Sequence, residues 1–204
     1  VFATHSGYVE LVEYLLEHGA DPNLANAGFG ALHAAVMRRD KRMVAALLTH
    51  GADPNITLET WTPTRRSSRD YNFSPSLIGA TPFWLAARFA QPDLMMLLTE
   101  SGADPFFVHS VEYTPDSLAG SRAGTVREAT TTLMAAVGMG GRRRLRTWLP
   151  PDRSQLETQV LESVKLMIEL GVAVNAANVD GRTALDGATA LGYESVIDFL
   201  IDHG

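Results

Sequence analysis

A chain of 204 residues with 46% hydrophobic and 20% charged side chains carries enough apolar material for a sizeable core and too much for a disordered chain. Its formal charge of −6 repels phosphate and anionic lipid at long range, so any basic site must be local. The absence of cysteine excludes disulfides, cysteine-ligated zinc and thiol nucleophiles, and leaves the cellular compartment undetermined. No apolar run approaches the roughly 18 residues that a membrane-spanning helix needs, so membrane insertion is not expected.

Along the chain, Val1 to Thr4 read as the end of a helix, with neither an initiator Met nor a basic signal-peptide head. A strongly apolar helical stretch, Val9-Glu10-Leu11-Val12-Glu13-Tyr14-Leu15-Leu16, runs into Gly19-Ala20-Asp21-Pro22-Asn23. This turn recurs as Gly51-Ala52-Asp53-Pro54-Asn55, as Gly102-Ala103-Asp104-Pro105, and more loosely as Gly171-Val172-Ala173-Val174-Asn175. Gly204 starts another copy, and the glycines stand 32, 51, 69 and 33 residues apart. Each follows an apolar helix, which places Gly19, Gly51, Gly102 and Gly171 as left-handed residues that end it. A second, Ala-rich helix precedes each of the last four apolar ones: Ala31 to Val36, Thr81 to Ala87, Thr131 to Ala136 and Thr183 to Ala188. Small residues let that helix sit close to its neighbours.

A turn plus two antiparallel helices repeating about every 33 residues resembles the ankyrin repeat. The stretch from Asn178 to Gly204 follows the pattern almost throughout, whereas the signature His survives only at His33, with Trp84, Met134 and Asp186 at the corresponding places. These replacements are expected to weaken a local hydrogen-bond network. The resemblance implies one all-α solenoid of stacked helix-turn-helix units with enlarged finger loops: a partial repeat over about 1–18, then 19–50, 51–101, 102–170 and 171–204. Both ends are expected to be cuts through a longer array. The Ala/Arg-rich style, the lack of cysteine and the irregular insertions are similar to those of bacterial ankyrin proteins.

Comparison with the regular last copy locates the insertions at 56–79 and 106–130, in adjacent fingers, and at 140–158, between the two helices of the fourth unit on the opposite edge. The fingers are rich in aromatic and basic residues. Trp61, Arg65, Arg66, Arg69, Tyr71, Phe73, Phe107 and Tyr113, with Phe29 beside them, are candidates for an interaction surface, since Trp, Tyr and Arg are the usual interface anchors. The alternative is that the finger aromatics pack one inserted loop on the other. The third insertion holds Arg142, Arg143, Arg144, Arg146 and Trp148, a local basic cluster that is a docking site for acidic groups, a minor candidate for phosphate or nucleic acid, or a solvated loop. Ser154-Gln155-Leu156-Glu157 has the form of a capping box opening a lengthened second helix.

No catalytic constellation is readable. His18, His50 and His203 precede capping glycines and suit free helix carbonyls, while Gly138-Met139-Gly140-Gly141 lacks the strand and the Lys-Ser/Thr that phosphate cradling requires. The expectation is a non-enzymatic scaffold without cofactor or metal that binds protein through its fingers and concave helix face. The alternative is an accessory domain docked within a larger assembly, beside an enzyme or redox domain. Nucleic acid is an unlikely partner for so acidic a chain.

Overall fold

The computed structural model describes residues 1–60, 72–114, 124–141, 148 and 152–204. Five helix pairs follow one another: α1 (Phe2–Ser6) with α2 (Val9–Glu17), α3 (Ala31–Met37) with α4 (Lys41–Thr49), α5 (Pro82–Arg88) with α6 (Pro92–Glu100), α7 (Thr132–Ala136) with α8 (Leu156–Glu169), and α9 (Ala184–Leu191) with α10 (Glu194–His203). First helices stack on first helices and second on second, so each unit buries its apolar face on its neighbours. The helical solenoid carries one small sheet, so all-α describes the repeats but not the second finger. The second finger folds into an antiparallel hairpin of β1 (Val108–Tyr113) and β2 (Val126–Thr131), in register from Val108 opposite Thr131 to Tyr113 opposite Val126. Its alternation buries His109, Val111 and Tyr113 against the solenoid and exposes Val108, Ser110 and Glu112.

Gly19, Gly51, Gly102 and Gly171 all adopt left-handed backbone, with φ of 84°, 85°, 91° and 84°. An added Cβ at any of the four would meet nothing within 4 Å, so glycine is required there by conformation and not by space. A second left-handed row lies in the turn between the helices of each pair, at Gly7, Arg39, Ala90, Gly138 and Gly192. Two of these five are not glycine. His18, His50 and His203 each place Nδ1 at 2.7–2.8 Å from the carbonyl four residues back, the helix-end role expected of them.

Successive turns are tied by an asparagine ladder. Asn23 donates to the Gly51 carbonyl and accepts from the Asp53 N–H, and Asn55 does the same with Gly102 and Asp104. Within the units, His33 is fully buried. Its Nδ1 accepts from the Gly30 N–H at 3.1 Å, which leaves Nε2–H to donate to the Ala80 carbonyl at 3.1 Å. Burial pushes its pKa down to about 4 and keeps the ring neutral. Trp84 donates through Nε1 to the Thr130 carbonyl at 3.3 Å. Ala80 and Thr130 both stand just before the Thr that caps the next first helix, Thr81 and Thr131. The indole therefore reproduces the histidine's bond to the next unit but not its bond from the Gly30 N–H, so the network is thinned by one bond there. Asp186 instead accepts from the Thr183 N–H at 2.7 Å and caps its own helix.

Helix α8 is longer than α2, α4 and α6, as expected from its apolar stripe, but its opening differs. Asp152, not Ser154, caps the turn by accepting from the Ser154 N–H and hydroxyl. Glu157 reaches to Ser195 of α10.

Candidate interaction surface

The first helix of a stacked pair has one face toward its partner helix, two toward neighbouring units and one, the inner face, left for solvent or a ligand. In α9, on which no following helix pair stacks, Leu185 and Leu191 are exposed. In α3, from Ala31 to Met37, and in α7, from Thr132 to Ala136, every residue is buried, and in α5 so is every residue from Pro82 to Ala87. What covers α3 comes from the insertions. Phe73, at the end of the first, is 1% exposed and packs its ring 4.8 Å from Phe29, edge-on to His33. Trp148, from the third, stands edge-on to Phe73 at 5.2 Å and to His5 at 4.8 Å. Its backbone N–H donates to the Met37 carbonyl at 3.0 Å. An insertion that leaves the solenoid in the fourth unit thus seats its tryptophan on the first two.

A buried clasp holds the start of that insertion over α5. Arg88 donates through Nε to the Gly140 carbonyl at 2.8 Å, the Gly141 N–H donates to Glu128 of β2, and the Tyr113 hydroxyl donates to the other oxygen of Glu128 at 3.0 Å. A Cβ on Gly140 would fall 2.7 Å from Thr130 and 2.8 Å from the Trp84 ring, so the chain can pass there only as glycine. The glycine run is a close crossing and not a phosphate cradle. Burial pushes the Arg88 guanidinium down to about 10, with Glu128 opposing the shift.

The positions proposed from sequence separate accordingly. Phe29, Phe73, Tyr113 and Trp148 are at most 9% exposed and belong to the packing, so they are corrected from interaction surface to core. Trp148 in particular has no face free for a base. Phe107 is half-buried against the core, and Gly19, Gly51, Gly102 and Gly171 are caps as expected. Trp61, Arg65, Arg66, Arg69, Tyr71, Arg142, Arg143, Arg144 and Arg146 lie outside the described residues. The two finger insertions do meet, with His109 Nε2 donating to the Ile78 carbonyl at 2.9 Å, yet Phe73 leaves the finger for the inner face.

Among the described residues, the exposed large apolar groups of the finger edge are Leu24, Phe106, Val108 and Val179. Phe106 occupies the place of Asn23 and Asn55 in the third turn, so the asparagine ladder stops there and a 58% exposed ring stands where a paired amide would be. The signal was readable as a missing Asn. The second surface feature is a polar cleft of about 530 Å³ on the opposite edge, lined by Arg39, Lys41, Gln91, Asp93, Gln159 and Glu162 among others. Among the described residues no cluster of His, Asp or Glu is placed to hold a metal ion, and no helix is long and apolar enough to cross a membrane.

No curated protein matches the chain. The family model for ankyrin repeats (3 copies) matches residues 1–58, so that segment is similar to ankyrin repeats.

Proposed function

We propose that the chain is a non-catalytic recognition scaffold that binds another protein through its finger edge, not through the concave face of its middle units. Ankyrin repeats are in general protein–protein interaction modules, and as a family they are typically non-enzymatic. The observation that carries the choice of surface is the contrast between the inner faces of α3, α5 and α7, filled by the chain's own residues, and the exposed pair Phe106 and Val108 on the hairpin finger. An exposed aromatic beside a β-branched residue on a rigid finger supplies apolar area at little entropic cost. The test is partner recovery with the chain as bait, comparing wild type with Phe106→Asp/Val108→Asp. Recovery should fall at least about tenfold while the melting temperature holds, because both side chains are solvent-exposed. Unchanged recovery would move the interface elsewhere.

A further inference from the structure

The polar cleft lies where the helix-to-helix turns of the second and third units meet α8. Arg39 is one of its two cations. Arg42 holds Glu13 at 2.6 Å and Glu10 at 3.3 Å, and Arg127 holds Glu112 at 2.8 Å. Arg39 is half-buried and spends its donors on neutral oxygens alone, the Phe89 carbonyl at 3.0 Å and Gln159 Oε1 at 3.2 Å. A guanidinium has five N–H donors in a planar fork. Three remain on Arg39, and among the described residues no carboxylate forms an ion pair with it. Beside it Gln91 is 3% exposed, and neither its Nε2 nor its Oε1 has a hydrogen-bond partner. Leaving both atoms of a buried amide unpaired is costly. Gln91 is also the residue that opens α6, a nine-residue helix whose positive end, at Pro92, Asp93 and Leu94, forms part of the wall.

The remaining charges narrow the ligand. Lys41 and Asp93 pair loosely at 3.6 Å, and Glu162 is exposed on the α8 side. Two cations against two carboxylates leave the cleft formally neutral, so a polyanion gains nothing at long range and meets two acids at short range. A single carboxylate can still be held by a bidentate fork. An amide, with donor and acceptor side by side, has another amide as its complement.

We infer that this cleft is a peptide-recognition site for an acidic residue of a partner chain, with the carboxylate held by the Arg39 fork and the adjoining peptide bond paired by Gln91. On binding, the Gln91 amide turns outward from the floor to meet the peptide. The inference deepens the recognition reading above and does not use the finger edge.

The test is titration of the capped tripeptide Gly-Glu-Gly into nitrogen-labelled full chain, following the side-chain signals of Gln91 and Arg39 by NMR. The tripeptide should shift both saturably, and capped Gly-Gln-Gly should bind at least about tenfold more weakly, as loss of a charged bidentate contact demands. Inorganic phosphate is the competing arm: if it shifts Arg39 as strongly and leaves Gln91 unmoved, the site is a simple anion site and the inference fails. Arg39→Gly should abolish binding yet keep the fold, because glycine relieves the left-handed backbone there (φ 57°) and offsets the two lost hydrogen bonds. If that variant does not fold, Arg39→Lys keeps the charge without the fork and should lose most of the preference for Glu over Gln. Binding that survives either change overturns the assignment, as does the absence of any shift in wild type. A null result here, with partner recovery through Phe106 and Val108 intact, removes the cleft alone, whereas loss of both removes the scaffold reading.

Discussion

The last unit and the middle units are built on one plan and differ in how far their first helices are covered. Residues 171–204 form a regular copy whose α9 leaves Leu185 and Leu191 in solvent, while α3 and α7 have no exposed residue at all. Repeat stacking explains what the units share, namely buried sides and capped ends. It does not by itself account for the rings seated over α3, which come from outside the helix pairs. Over α3 that cover comes from insertions: the chain supplies from 72–73 and 148 what would otherwise come from a partner or from water. An insertion counted along the sequence is therefore not the same as a projection into solvent, and in this protein part of the inserted chain behaves as an internal ligand.

The most direct way to break that comparison is to remove the pin. Trp148→Ala deletes a ring that touches His5 and Phe73 and is 9% exposed, and a large-to-small change of this kind costs about 3–5 kcal/mol. Leu185→Ala, at an exposed position of α9, should cost less than about 1 kcal/mol. Urea unfolding of the two variants checks this. Equal effects would mean that the third insertion rests on the inner face without stabilising it.

Acid separates the same two regions. His33 is neutral and buried with its pKa lowered to about 4, while Asp186, at the corresponding place in the last unit, is a carboxylate held below its usual range by the Thr183 N–H and hydroxyl. For His33 the unfolded chain binds the proton more readily, so its contribution is complete above the unfolded value and declines as pH falls below it, toward the folded value. For Asp186 the contribution is present above the unfolded value and is lost only as pH falls through its lower folded value. Between pH of about 7 and about 5 the His33 linkage alone should remove on the order of 2 kcal/mol. Burial lowers His109 in the same direction and adds to this. Unfolding free energies measured at both pH values test it: a flat profile would mean that His33 is not buried neutral.

How much of this the sequence could disclose follows from which signals are local. The recurring Gly-Ala-Asp-Pro turn and the apolar helices before it gave the repeat, its phase and the four left-handed caps, because a helix end needs glycine for reasons confined to a few residues. Counting between those landmarks located the insertions. The destinations of Phe73 and Trp148 were beyond reach, since the logarithmic cost of closing a long loop leaves the docking place to shape complementarity between distant units. That Trp84 keeps the bond to the next unit was not readable, because its indole N–H replaces an imidazole N–H only through the position of the Thr130 carbonyl. Of the surface, Phe106 was visible as a broken asparagine series, whereas the Arg39 cleft is assembled from three units and has no local signature.

The smallest expected effect concerns the second left-handed row, where the third and fourth units differ at one position. Gly138 has φ 80° and Ala90 has φ 48° at the corresponding turns. A Cβ on Gly138 would meet only Leu191, at 3.6 Å, an ordinary contact, so Gly138→Ala is charged with backbone strain and not with a clash. Left-handed backbone costs a non-glycine residue about 1–2 kcal/mol, and the stiffer unfolded chain returns about 0.4–1 kcal/mol, leaving a net loss of about 1 kcal/mol. Ala90→Gly runs the other way with an added term. It relieves the same strain and loosens the unfolded chain, but it also strips a methyl group that is 3% exposed, worth about 0.8 kcal/mol. The three terms nearly cancel, and thermal and urea unfolding should place this variant within about 0.5 kcal/mol of wild type. A gain above about 1 kcal/mol would show that strain dominates the turn and that the Ala90 methyl contributes little packing. A loss of that size would show the reverse, that the turn is held in its left-handed form by burial of Ala90.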